Sequence, residues 1–143
     1  MLQVFDVLHQ QMGVSMECFA SPLNCYFPRF CSAFADTDGP FGSVGSFFDF
    51  KPVSGAFEAN PPFVPEVIRS MAQHMGTLLR ATDKPLCFVV IIPCWDTKEG
   101  WQLLNTSPYM KHHLLIDQSS HGYTEGAQHS RDTRFSSYPT PCP

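Results

Sequence analysis

Four consecutive residues in this chain combine into a chemical device: Asn60, Pro61, Pro62 and Phe63. Asn60 and Pro61 each precede a proline, which drives both into extended backbone. The prolines fix φ at about −65° and carry no N–H. The segment is a stiff elbow that holds the Asn60 side chain in one direction. The Asn60 side-chain oxygen and the Pro61 carbonyl are two neutral acceptors beside the flat Phe63 ring. That set suits an exocyclic amine on an aromatic base. The acceptors take both N–H bonds while the ring stacks, a contact worth roughly 1–3 kcal/mol per base. Drawing both hydrogens out of the ring plane localises the nitrogen lone pair for attack. Asn60 is neutral and therefore not a general base. Taken alone, the tetrapeptide also fits a strand end that simply stops before a helix.

The flanking residues supply the elements that must position this elbow. Phe57 and Ala59 alternate with Ala56 and Glu58, the pattern of a short strand running into Asn60. After the elbow, Pro65 suits the first turn of a helix, with Glu66 on the favourable side of its dipole. Val67, Ile68, Met71, Met75, Leu78 and Leu79 form one apolar stripe on that helix. Residues 86–92 are a continuous apolar run and predict a fully buried central strand. Trp95 follows at its carboxyl end, where it walls the pocket or caps the core. Residues 96–110 hold Trp101 and Leu104 in a short helix, and 112–116 are the last strand. His112 and His113 point to opposite faces there, which rules out a compact metal pair.

A second candidate stretch lies near the start. Residues 2–12 carry a helical apolar stripe that ends at Gly13. Residues 14–19 predict a strand in which Glu17 is the only charge, and residues 20–24 a turn. In doubly wound folds ligands bind beyond the carboxyl ends of strands. An acid near such an end can take ribose hydroxyls, and a turn of small residues lets a ligand approach the backbone. Glu17 to Asn24 is thus a candidate ligand stretch, with an ordinary strand and turn as the alternative. Residues 26–35 predict a short helix, 36–46 a loop, and 47–50 a short strand that sets Asp49 beside the site. Gly39, Gly42 and Gly45 recur without the strand or lysine of a phosphate loop. Asp36 and Asp38 miss the full calcium-loop pattern.

The 143 residues suffice for one domain, and 43% hydrophobic content with 13 Phe fits a packed core. Net charge is −4, and the nine Lys and Arg form no run. That is the wrong sign for a stand-alone nucleic-acid binder, so phosphate contacts must come from elsewhere. The six cysteines include no Cys-x-x-Cys pair, and no charged-then-apolar leader is expected. Free, mostly buried thiols in a reducing compartment are expected. No apolar run reaches the roughly 18 residues a membrane span needs.

The elbow is also the [Asp/Asn]-Pro-Pro-[aromatic] signature of N-methyltransferases acting on amino groups of bases. Three further strings stand with it: Met16-Glu-Cys-Phe-Ala-Ser-Pro-Leu-Asn-Cys-Tyr-Phe27, Cys31-Ser-Ala-Phe34 and Asp36-Thr-Asp-Gly39. Together with Phe57-Glu-Ala-Asn-Pro-Pro-Phe63, they make residues 1–130 resemble the cap-specific adenosine N6-methyltransferases, the phosphorylated C-terminal-domain interacting factor family. The resemblance implies an α/β, Rossmann-like methyltransferase sheet, incomplete in this chain, with S-adenosyl-L-methionine as cofactor. It implies a nuclear protein that methylates N6 of the 2′-O-methyladenosine next to the 7-methylguanosine cap of mRNA. Asn60 and Pro61 would hold the amine, Pro62 would stiffen the loop, and Phe63 would stack on adenine. Glu17, Ser21, Pro22 and Asn24 would line the cofactor, although the Gly-rich turn of many methyltransferases is missing. Capped mRNA is the implied partner. The phosphorylated RNA polymerase II tail is a partner of full-length relatives, through a WW module that this chain is expected to lack.

On this reading residues 1–116 are part of a catalytic domain and 117–143 a polar tail. The acidic balance, a sheet short of full size and a helix at the very start predict a weak enzyme when the chain is alone. Two rivals are a truncated, non-catalytic paralogue or isoform, and a methyltransferase acting on another amine, such as DNA adenine or a protein amide.

Overall fold

The structure, a computed structural model, describes residues 2–117. Helix α1 spans Leu2–Met12, α2 Ala35–Asp38 and a 3-10 turn Gly39–Phe41. Strand β1 spans Gly55–Ala59, α3 Pro65–Ala81, β2 Leu86–Val90 and α4 Glu99–Asn105. β1 and β2 pair in parallel, with Gly55 opposite Leu86 and Ala59 opposite Val90. A parallel pair needs a crossover, and α3 supplies it. Pro65 opens that helix after extended Val64, and Glu66 lies in its first turn. The buried stripe is Ile68, Met71, Ala72, Met75 and Leu78.

Three extended ribbons continue the layer beyond β1, each joined through one parallel bridge: Glu17 to Glu58, Glu17 to Phe30, and Phe30 to Ser43. The Cys18 amide donates to the Glu58 carbonyl at 2.7 Å, and the Glu58 amide to the Met16 carbonyl at 3.0 Å. On the other flank, the Cys31 amide donates to the Glu17 carbonyl at 2.8 Å, and the Val44 amide to the Phe30 carbonyl at 2.9 Å. In chain order the ribbons are those of Glu17, Phe30 and Ser43, then β1 and β2. In space they run third, second, first, fourth, fifth. Gly42 sits at the tightest point, with φ 111°, and a Cβ there would collide with the Pro28 carbonyl.

The layer is covered on both faces. On one, Met16, Cys18, Cys31, Phe47, Phe57 and Ala59 pack against Ile68, Met71 and Met75 of α3. On the other, Phe5 of α1 joins Val14 and Phe27, with Ala56 and Val89 against them.

Several expectations are corrected. Residues 14–19 form a hydrogen-bonded ribbon with a single bridge rather than a full strand. Residues 26–35 are extended around fully buried Phe30 rather than helical, because the ribbon pairs on both sides. Residues 36–46 contain α2 and the 3-10 turn, not only loop. Residues 47–50 are a turn closed by Asp49 and Phe50 amides donating to the Ser46 carbonyl, each at 3.1 Å. Strand β2 is not fully buried: it is one of the two outer ribbons among the described residues, and Cys87 on it is exposed. Residues 112–116 form no strand, and Leu114 is 79% exposed. Cys18, Cys25, Cys31 and Cys87 are free thiols, but Cys94 is disulfide-bonded. The expected tail lies outside the described residues except for Asp117.

Candidate active site

The elbow occupies the carboxyl end of β1. The Ala59 carbonyl there accepts the Ile91 amide at 2.9 Å, which ties the exit of β1 to that of β2. Pro61 is buried and Pro62 exposed, and the Pro62 carbonyl accepts the Val64 amide at 2.7 Å. The chain turns from extended Val64 directly into α3 at Pro65. Asn60 is half-buried, its side-chain oxygen shielded from solvent. Phe63 is half-buried and meets Trp95 edge to face, with ring centroids 6.5 Å apart and planes at 76°. Trp95 is reached from the carboxyl end of β2, so the elbow and the Trp95 segment are neighbours at one edge of the sheet.

The Glu17–Asn24 stretch leaves that same edge from the ribbon next to β1, so the structure brings the two candidate stretches together. Their side chains make hydrogen bonds within the chain. The Glu17 carboxylate is buried, and its Oε2 accepts the backbone amides of Tyr26 at 2.8 Å and Phe27 at 3.1 Å. Burial pushes its pKa up, against the pull of the two amides. The Asn24 side-chain oxygen accepts the Ser21 amide at 2.7 Å and the Ser21 hydroxyl at 3.1 Å. Asn24 thereby closes the turn, as side chains of its type often do. Ser21 and Pro22 stay half-buried at the sheet edge.

An aromatic group flanks this edge. Phe19 packs on Phe47 with centroids 5.1 Å apart, and Phe47 meets His74 of α3 edge to face at 5.0 Å. His74 Nε2 lies 2.9 Å from the Phe50 carbonyl. Beside it, Phe48, Glu66, Val67 and Ser70 line a shallow hollow of about 280 Å³ at the amino end of α3. A larger hollow of about 550 Å³ lies at the opposite end of the strands, lined by Met12, Gly55, Leu86 and Cys87. The elbow and the Phe63 and Trp95 rings lie at the carboxyl end. Asp49 is exposed in the turn before Phe50.

Glu58, which the spacing of residues alone did not single out, is 1% exposed. Burial, and then the neighbouring Glu17, pushes its pKa up to about 8. The available signal was an acid in the middle of an otherwise apolar strand. Among the described residues no group of three or more His, Cys, Asp or Glu side chains is arranged to hold a metal ion. No helix among them is long and apolar enough to cross a membrane.

Comparison with known proteins agrees with the family resemblance of the sequence. The family model described as "Phosphorylated CTD interacting factor 1 WW domain" matches residues 1–126. That description names a WW domain, and the matched residues described here build a parallel α/β layer. The proteins named mRNA (2′-O-methyladenosine-N(6)-)-methyltransferase from Homo sapiens and Mus musculus are each 48% identical to the chain over 130 residues. The match covers 90% of this chain and 18% of each relative, so the chain spans about a fifth of their length. With the family model covering most of its residues, the chain belongs to the phosphorylated CTD interacting factor 1 family.

Proposed function

We propose that this chain supplies the amine-binding elbow of an S-adenosyl-L-methionine-dependent methyltransferase that acts on N6 of the 2′-O-methyladenosine beside an mRNA cap. The observation that carries this reading is the position of Asn60–Phe63. The elbow sits at the carboxyl end of β1, where the ribbon order reverses between the Glu17 ribbon and β1. Ligands of open α/β sheets bind at that switch point, and the ribbon order supports a Rossmann-like sheet. The names of the human and mouse relatives support the substrate.

In this reading the Asn60 side-chain oxygen and the Pro61 carbonyl accept the two N6 hydrogens. Both acceptors are neutral, so they orient the amine without taking its proton. Phe63 packs on adenine, and Trp95 holds Phe63 from its edge. Pro61 and Pro62 keep the acceptors in place, so little ordering is left to be done when the base arrives. Bound S-adenosyl-L-methionine supplies an electrophilic methyl group. The Ser21-Pro22 turn fits a ligand that approaches backbone at this edge. The Glu17 carboxylate and the Asn24 oxygen already serve Tyr26, Phe27 and Ser21. The proton released after transfer passes to water.

The acidic net charge assigns phosphate binding to surfaces outside this segment. Capped mRNA as partner, the phosphorylated polymerase tail in longer relatives, and a nuclear location complete the reading. The test is label transfer from S-adenosyl-L-methionine to a panel of acceptors. The enzyme is this chain, alone and substituted for the matching segment of the human relative. Label on capped RNA beginning with 2′-O-methyladenosine, and little on uncapped RNA, DNA or protein amides, is expected. Preference for DNA or a protein amide overturns the substrate assignment.

A further inference from the structure

Glu17 and Glu58 are 4% and 1% exposed. They face each other across the bridge that joins the first ribbon to β1. Bridge partners direct their side chains to the same side of a sheet. Both carboxyl groups therefore lie on the α1 side, opposite Phe57 and Ala59. The two differ in their surroundings. Glu17 Oε2 accepts the Tyr26 and Phe27 amides, which favour a negative charge. Glu58 Oε1 has no hydrogen-bond partner among the described residues.

Among the described residues no cation pairs with either acid. The ion pair among the described residues joins Arg69 to Glu99 and involves neither acid. On its β2 flank Glu58 is opposite Val89. The Cys18 thiol lies next to Glu17 and feels both acids. On α1, Asp6 accepts the Tyr26 hydroxyl, and His9 Nδ1 lies 2.8 Å from the Val14 carbonyl. Two neighbouring carboxylates without a cation, shut away from water, cannot both hold their charge.

We propose that Glu17 and Glu58 share one proton, and that this acid–carboxylate pair locks the first ribbon to β1 directly beneath the elbow. The charge rests on Glu17, held by its two amides. The proton rests on Glu58, whose hydroxyl then acts as donor toward Glu17. Loss of that proton places a second negative charge in the same enclosed site. It drives apart the two ribbons that carry the Ser21-Pro22 turn and Asn60. The pair is thus a pH-sensitive clamp at the switch point, and the direction of the Glu58 shift agrees with it.

The sign follows from linkage. Glu58 binds its proton more tightly in the folded chain, to about pH 8, than at its ordinary value of 4.5. The stability this confers is fully present below the ordinary value and is lost as pH rises through the folded one. The experiment is thermal unfolding of the purified chain, with Glu58→Gln and Glu17→Gln, from about pH 5 to about pH 9. Gln mimics the neutral acid, so Glu58→Gln should gain on the unsubstituted chain as pH rises, by roughly 10 °C or more. Glu17→Gln removes the facing charge and should move the fall to lower pH. A gap between Glu58→Gln and the unsubstituted chain that stays constant with pH overturns the proposal. Carbon-13 NMR of the glutamate carboxyls in the unsubstituted chain tests it without any variant. One carboxyl titrating near pH 8 is expected, and titration of all of them in the usual carboxylate range overturns it. Neither readout uses substrate or cofactor, so failure here is separate from failure of the methyltransferase reading.

Discussion

Phe63 meets Trp95 edge to face, with ring centroids 6.5 Å apart. The two rings come from different strands: Phe63 follows β1, and Trp95 follows β2. Their meeting joins two sequence-distant segments at the carboxyl edge of the sheet. Aromatic pairs in this geometry contribute about 0.5–1.5 kcal/mol beyond their burial.

This relationship predicts how substitutions at Phe63 divide. Phe63→Trp keeps a flat stacking face and should retain most methyl transfer, whereas Phe63→Leu should lower it and raise the substrate concentration required. Loss of stacking corresponds to roughly 1–3 kcal/mol, or about 5- to 150-fold in kcat/KM. Steady-state kinetics of the two variants in the segment-substituted human relative checks this. Equal effects of Leu and Trp would make Phe63 a packing residue only.

A second prediction concerns the helix pair that buttresses the elbow. A Cβ on Gly100 of α4 would meet the Arg69 amide nitrogen at 2.7 Å and Ile68 Cγ2 at 2.8 Å. Gly100→Ala should therefore push α4 off α3 and destabilise the chain by about 1–3 kcal/mol. Chemical denaturation reads it directly. An unchanged midpoint would mean that α3 and α4 do not pack this closely.

Thiol reactivity gives a third. Cys87 is exposed on β2 and Cys25 half-buried, while Cys18 and Cys31 are buried. Burial pushes the Cys31 thiol up to about 12 and Cys18 further still, which suppresses their thiolates at neutral pH. A soluble alkylating reagent should modify Cys87 and Cys25 in the native chain and reach Cys18 and Cys31 only after unfolding. Peptide mapping before and after denaturant distinguishes the cases. Early labelling of Cys31 would contradict the buried ribbon around Phe30.

A fourth tests the core under β1. Met71 is fully buried between α3 and the layer. Met71→Ala should cost about 2–5 kcal/mol, measured by equilibrium unfolding.

The elbow and its supports were legible because their signals are local. Alternation marks β1, and Pro65 with Glu66 marks the start of α3. The ribbon of Phe30 was not legible. Its aromatic residues suit a short helix, and the pairing that decides otherwise comes from Glu17 and Ser43, far along the chain. β2 was recognised as a strand but misplaced, since an apolar run reads alike in a central and an outer strand. The significance of Glu58 depends on its register against Glu17, which the spacing of residues does not carry. Likewise, residue type marks Glu17 and Asn24 as ligand groups but does not carry the contacts their oxygens make with donors of Tyr26, Phe27 and Ser21.

The proposal that Asn60 and the prolines after it hold the reacting amine is tested by methyl transfer from labelled S-adenosyl-L-methionine to a capped oligonucleotide beginning with 2′-O-methyladenosine. The enzyme is the human relative carrying this segment, with and without Asn60→Ala, and folding is verified by unfolding midpoint. Loss of one hydrogen bond costs roughly 1–3 kcal/mol and misorientation of the amine adds to it, so transfer should fall at least about 100-fold with the midpoint unchanged. Near-unchanged transfer by correctly folded Asn60→Ala protein would mean that Asn60 does not hold the amine.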